Sequence, residues 1–375
     1  MENKFFDFEK PLSLYVHIPF CLSKCDYCAF YSVPCAKVGK TAIHAYAVRI
    51  SEQIEQTVSA MQVPFYTAFI GGGNPGCLDV QDLVLICSAI CKKGRPQEFT
   101  VEMNPESLSD RHFLLFEKYL TRLSMGVQTL DDAALRYLGR NSDLKTTLRG
   151  ISLSQKLRRE TGCDLSYDMI TCLPSFHNPV GDIENLFDAC QDLPGHLSVY
   201  SLTLEEGTPF YERMKDNELP TSDCQADILF GVWKYLENKG FEHYEVSNFA
   251  LPGRRSLHNS VYWDYGQYMG LGVAAHSRAF KNGKVTAIEV RGDCEHEKTV
   301  VTPLDRTQAL EEFVLMGLRH KTGLDLKRLQ SDFNLTLECL TDRIPDGFYV
   351  ENGHLVPSEK GFMTADAAAL AILSH

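Results

Sequence analysis

Tyr15-Val-His-Ile-Pro-Phe-Cys21-Leu-Ser-Lys-Cys25-Asp-Tyr-Cys28-Ala-Phe30 is the stretch from which the rest of the chain is read. Leu12 to Ile18 is a short β-rich run and predicts a strand. Three cysteines follow it at once, spaced C-x3-C-x2-C. Thiolates this close in sequence can hold one iron–sulfur cluster. Three ligands for a four-iron cube leave one iron open, and an open position marks a catalytic rather than a structural metal centre. Buried thiols or a zinc site are the alternatives. Lys24 and Asp26 between the ligands instead suggest a solvent-facing loop after a strand. Cys35 is a weaker candidate for a fourth ligand. The remaining cysteines, such as Cys87, Cys91, Cys190 and Cys339, fall in apolar contexts and read as core.

Strand and helix signals alternate outward from this point. Strands are predicted at Phe65–Ile70, Phe99–Met103, Arg122–Val127, Cys163–Ile170, His196–Leu202 and Phe241–Val246. Helices are predicted at Lys37–Met61, Gln81–Lys92, Ser109–Leu120, Asp131–Leu138, Leu144–Glu160, Gly181–Gln191 and Ser222–Lys239. Serial βα units imply a parallel sheet with helices outside it. Six units are too few for the complete eight-unit barrel, so the expected fold is α/β, an open partial (β/α)6 barrel. The pattern changes near residue 300. Helices at Thr307–Leu318, Asp325–Phe333 and Thr364–Leu373, with a hairpin about Asn352-Gly353, predict a small winged-helix-like α/β module. The expected division is 1–300 for the barrel and 301–375 for the module.

The chain has 375 residues, 49 acidic against 37 basic, for a net charge of −12. That balance argues against a nucleic-acid partner, which needs a basic footprint. No apolar run reaches the ~18 residues of a membrane-spanning helix, and Met1–Lys10 has no signal-peptide core. A cytoplasmic location is expected, where 13 cysteines are thiols, ligands or catalysts rather than disulfides.

Polar residues recur where the predicted strands end. Gly71-Gly72-Gly73-Asn74 follows the second, and glycines let a backbone approach a ligand closely. Glu102 sits on the third, Gln128 ends the fourth with Arg140 after it, and Asp168 lies on the fifth. Ligands on parallel sheets bind at the carboxyl ends of strands. A convergent polar set on an apolar wall is what a small-molecule site needs.

The opening motif resembles that of the radical S-adenosylmethionine superfamily. More narrowly, nearly the whole chain resembles the oxygen-independent coproporphyrinogen III oxidase group and its HemW heme-chaperone branch. The resemblance implies a [4Fe-4S] cluster on Cys21, Cys25 and Cys28. Its open iron would chelate S-adenosylmethionine, whose reductive cleavage yields a 5′-deoxyadenosyl radical. It also implies cofactor-binding roles for Tyr15, Tyr27, Gly72, Gly73, Glu102, Gln128, Arg140 and Asp168. Asn74, also a candidate cofactor contact, stands where the family has Thr, and Thr171-Cys172-Leu-Pro174 replaces the family's Tyr-Gly-Leu-Pro. No catalytic residue beyond the cofactor sites is assigned.

Three features favour the chaperone over the oxidase within this resemblance. Phe30 stands where the oxidases carry a further Cys. Twenty residues precede Cys21, too few for the oxidases' N-terminal element. His258-Asn259-Ser-Val-Tyr262-Trp263 looks like the H-N-x-x-Y-W motif of the chaperones. An imidazole can ligate heme iron, so His258 is the expected heme contact, with His17, His243 and His276 as substitutes. The resemblance therefore implies heme or porphyrin as ligand and a heme-acceptor protein as partner, membrane-bound respiratory proteins included. The alternative is oxidative decarboxylation of coproporphyrinogen to protoporphyrinogen IX.

Overall fold

The computed structural model describes residues 3–173, 178–214, 219–339 and 344–373. Six strands run in sequence order and in parallel: β1 (Ser13–Ile18), β2 (Thr67–Gly72), β3 (Glu98–Met103), β4 (Arg122–Gln128), β5 (Asp164–Thr171) and β6 (His196–Ser201). Helices alternate with them: α1 (Lys40–Ala60), α2 (Val80–Ile90), α3 (Phe113–Lys118), α4 (Asp132–Tyr137), α5 (Leu144–Thr161), α6 (Pro179–Ala189) and, after β6, α7 (Pro209–Met214) and α8 (Ser222–Asn238). The alternation along β1 shows how the layers form. Leu14, Val16 and Ile18 are fully buried in the main core, as are Tyr46, Ala47, Ile50 and Ile54 along one face of α1. Spacing of three and four residues makes that face continuous. The intervening residues of β1, Ser13, Tyr15 and His17, carry the polar contacts described below.

The seventh predicted strand departs from the barrel pattern. β7 (Glu242–Glu245) and β8 (Asn248–Ala250) form an antiparallel hairpin on the edge beside β6. The chain then enters helix α9 (Leu257–Trp263) and emerges as β9 (Tyr268–Leu271) on the opposite side, parallel to β1. Antiparallel strands β10 (His276–Lys281), β11 (Lys284–Gly292) and β12 (Glu297–Pro303) extend that side. The result is a 12-stranded sheet of the described residues, ordered β12-β11-β10-β9-β1-β2-β3-β4-β5-β6-β8-β7. The sequence reading places no element between Val246 and Thr307; these strands are its largest omission.

Beyond β12 come α10 (Arg306–Leu318), β13 (Leu324–Asp325), α11 (Leu326–Phe333), the hairpin β14 (Phe348–Glu351) and β15 (His354–Pro357), then α12 (Glu359–Met363) and α13 (Ala365–Leu373). The small sheet has the order β13-β15-β14. The hairpin turns on Asn352 and Gly353, both at positive φ (50° and 81°), the backbone of a two-residue type I′ turn. Phe313, Leu318, Leu329, Leu355 and Ala369 form a second core that also takes Tyr265 from beyond α9. Phe362 reaches back into the main core, so the two interlock.

Candidate functional site

The carboxyl ends of the parallel strands open into a cavity of about 590 Å³. Cys21, Cys25 and Cys28 lie along its wall, with Tyr27, Gly72, Gly73, Glu102, Gln128, Arg140 and Asp168. No three His, Cys, Asp or Glu side chains close around a single metal ion among the described residues. The three thiols all line the one cavity, and in a four-iron cube each thiolate ligates a different iron.

The cysteine loop is fixed from several sides. Phe20 and Cys21 pair with Val33 and Pro34. The His17 ring lies beneath the loop, its Nε2 at 2.9 Å from the Tyr31 carbonyl and its Nδ1 at 3.0 Å from the Tyr15 hydroxyl. Asp26 is tied to the far side: Arg213 donates to its carboxylate at 3.0 Å, and the Phe210 amide donates to its carbonyl at 2.9 Å. Gly139, at φ +67°, abuts Asp26 so closely that a Cβ there would lie 2.4 Å from its carboxyl carbon. Gly72 has the same character at φ +108°, where a Cβ would meet the His17 ring at 2.6 Å. Both glycines are required by close approach and by conformation.

The polar ring is set by neighbouring registers. Gly126, Asp168 and Ser198 lie side by side on β4, β5 and β6. Arg140 donates to the Gly126 carbonyl at 2.6 Å and reaches the Cys25 thiol at 3.6 Å. Gln128 takes φ +70° at a register shift between β4 and β5, and its Oε1 accepts from the Tyr200 hydroxyl at 3.0 Å. Bulges and left-handed non-glycine residues gather where a strand must re-aim a side chain at a site. Burial, then the neighbouring Asp168, push the Glu102 carboxyl up to about 8, although the Gly72 amide donates to it at 3.1 Å. Burial raises Asp168 to about 6 against hydrogen bonds from Ser198 and Ser124. Ser124, Ser198 and Tyr200 are functional neighbours that the sequence reading missed. Period-two alternation on β4 and β6 was the available signal.

These carboxyls give a pH prediction. Between pH 4.5 and about 8 the folded chain holds a proton at Glu102 that the unfolded chain has released. Stability therefore falls as pH rises through that window. In cluster-free protein, Glu102→Gln should weaken this fall, read as a smaller loss of thermal midpoint between pH 6 and pH 8.5 than in the wild type. Equal losses would refute the assignment.

Three expected site residues lie elsewhere. Asn74 is 1% exposed and is not in the cavity wall. Its Oδ1 accepts from the Gly76 and Asn104 amides and the Ser107 hydroxyl, so it caps the turn behind the glycines. Tyr15 faces a second cavity of about 610 Å³, with Tyr262, Trp263, Tyr268 and His276. Its ring lies over Phe69, 6.1 Å between centroids. His258 faces neither. It is 1% exposed, with Nδ1 at 2.8 Å from the Thr67 hydroxyl and Nε2 at 2.8 Å from the Tyr262 hydroxyl. Burial lowers its pKa to about 3. A neutral ring with both nitrogens engaged has none left for iron, so the expected heme contact at His258 is corrected. Cys35 likewise meets the Cys77 thiol rather than the cavity, and Cys172 is buried at φ +59°. The side chain of Cys339 and all of Pro174 lie outside the described residues.

Residues 15–214 match the family model of the radical SAM superfamily. The chain is 33% identical over 346 residues to the heme chaperone HemW of Lactococcus lactis, covering 88% of each. The chain belongs to the HemW family of the radical SAM superfamily. A mitochondrial radical S-adenosyl methionine domain-containing protein 1 from Bos taurus is 30% identical, with 83% of this chain and 74% of that one covered. Among solved structures, the coproporphyrinogen III oxidase HemN of Escherichia coli superposes with a TM-score of 0.78 at 19% identity, over 100% of this chain and 92% of that one. That similarity is one of fold.

Membership of the superfamily implies a [4Fe-4S] cluster and S-adenosylmethionine, and the HemW-family cavity fits both. It offers three thiols, three carboxyls (Glu102, Asp168 and Glu205) and a guanidinium. Arg140 Nε and Asn248 Oδ1 are buried there without a hydrogen-bond partner among the described residues, and such atoms require one. When bound, the cluster would supply an iron without a protein ligand for S-adenosylmethionine and a source of electrons beside it. Cys21, Cys25 and Cys28 would hold the cube. Glu102 and Asp168 suit the cofactor's cationic and hydroxyl groups, and Arg140 suits its carboxylate.

Proposed function

We propose that this chain is a heme chaperone. It binds heme beside a [4Fe-4S] cluster with S-adenosylmethionine and passes the heme to an acceptor protein. Similarity to a heme chaperone along 88% of both chains carries this reading. The cluster cavity and an adjoining aromatic cavity are consistent with it. No helix of the described residues is long and apolar enough to cross a membrane, so a membrane-bound acceptor would be met by protein contact.

Two measurements on anaerobically reconstituted protein test the proposal. Hemin should be retained through gel filtration with a protein-bound Soret band. Coproporphyrinogen III with reductant and S-adenosylmethionine should give no protoporphyrin fluorescence above the cluster-free control. Turnover at enzymatic rates would make the chain an oxidase, and loss of all hemin on the column would remove the chaperone reading.

A further inference from the structure

We infer that the second cavity is the heme site and that His276 is the iron ligand. This rests on the chaperone reading and adds the place and the ligand. The cavity's volume of about 610 Å³ is in the range of small-molecule sites. Tyr262, Trp263 and Tyr268 give it flat apolar walls, the first and last packed edge to face at 4.6 Å. Trp263 Nε1 is buried there without a hydrogen-bond partner among the described residues.

The histidines divide clearly: His243 is buried against Trp233 and Phe249 and lines neither cavity. Both ring nitrogens of His17 and of His258 are engaged. His276, the first residue of β10, has an exposed side chain on the cavity wall. Among the described residues no hydrogen bond is made by its ring. The backbone is bent to put it there. Ala274 is held at φ +65° by its amide's bond to the Val290 carbonyl at 2.7 Å. A Cβ on Gly270 would lie 2.1 Å from the His276 carbonyl oxygen. Strain of this kind persists where the surroundings impose it, and it clusters at ligand sites.

The charges suit a macrocycle with two propionates. Arg278 and Arg319 both line the cavity. Arg278 is paired with Glu312 at 2.7 Å, and Glu312 also accepts from the Tyr265 hydroxyl at 3.0 Å. Arg319 is paired with Asp366, which is 67% exposed, and lies over the Trp263 ring. An ion pair that open is weak, so Arg319 can take a propionate. Ala29 and Phe30, just past the last cluster cysteine, line both cavities. Bound heme would therefore touch the cluster loop.

Full-length reconstituted protein should be titrated with hemin and, separately, with iron-free protoporphyrin IX. His276→Ala should shift the Soret band and weaken hemin binding about tenfold or more, the scale of a metal-site loss. It should leave protoporphyrin binding unchanged. Met316→Trp, which fills the same cavity from α10, should weaken both. Wild-type protein that binds hemin, with both variants matching it in spectrum and affinity, would overturn the site while leaving the chaperone reading intact. Wild-type protein that binds no hemin would overturn both.

Discussion

Cys25→Ala should abolish the [4Fe-4S] signal in electron paramagnetic resonance of reduced protein, and with it the retention of S-adenosylmethionine. Cys25 is the middle ligand of the loop and the one that meets Arg140, at 3.6 Å. Its removal leaves two thiolates for a cube that already has one open iron. It also takes the thiolate away from a guanidinium that holds the site together through the Gly126 carbonyl. The fold should survive, because the side chain is only half-buried and belongs to none of the hydrophobic cores of the described residues. Stability is expected to change by less than about 1 kcal/mol, as for most substitutions outside the core. Cys35→Ala is the control: that thiol faces Cys77, so the signal should remain. A normal cubane spectrum from Cys25→Ala would show that the ligand set is wrong.

Glu98→Ala should have the largest effect on stability, about 3–5 kcal/mol, the cost of stripping one partner from a buried ion pair. Glu98 and Arg122 are 6% and 4% exposed and 3.1 Å apart at the start of β3 and β4. Glu98 also accepts from the Ser256 hydroxyl and from the Leu257 and His258 amides, at 3.2, 3.1 and 2.9 Å. It thus satisfies the first amides of α9 and opposes the helix dipole. Arg122 donates further to the carbonyls of Arg254 and Arg255. Without Glu98 the guanidinium stays buried with less countercharge, and α9 loses its anchor. Urea unfolding should show the loss as a lower midpoint. Because α9 carries Tyr262 and Trp263, hemin affinity should fall too. Replacing both partners, Glu98→Leu with Arg122→Met, should recover part of the stability. A single-variant loss below about 1 kcal/mol would mean that the pair does not anchor the helix.

Glu98 also anchors the helix that carries the H-N-x-x-Y-W signature in this chain. His258 and Tyr262 are one helical turn apart and hydrogen-bonded to each other at 2.8 Å. His258 stacks on Phe69 and reaches through Thr67 to Ser13. The histidine plugs the amino-terminal end of the barrel, and the plug presents Tyr262 and Trp263 to the second cavity. The spacing alone reads equally as an iron ligand, because residue type does not reveal what the two ring nitrogens already bind.

What the sequence determined by itself was local. The three cysteines after a strand, the serial βα pattern from β1 to β6, and one polar group near each strand end follow from spacing and from period-two alternation. Short-range backbone preferences and burial set these features, so the cluster cavity could be read before the fold was known. Tertiary structure alone decided the rest. β9 lies beside β1 although some 250 residues separate their partners Tyr15 and Gly270. His258 is neutral because the closed fold buries it, and engaged because Thr67, 191 residues away, occupies its Nδ1. Asn74 turns from the cavity because Asn104 and Ser107 come up behind it. The second cavity exists only where β1, α9, β10 and α10 meet. Each depends on which distant side chains meet, and burial and hydrogen-bond satisfaction are settled only when the chain has closed on itself.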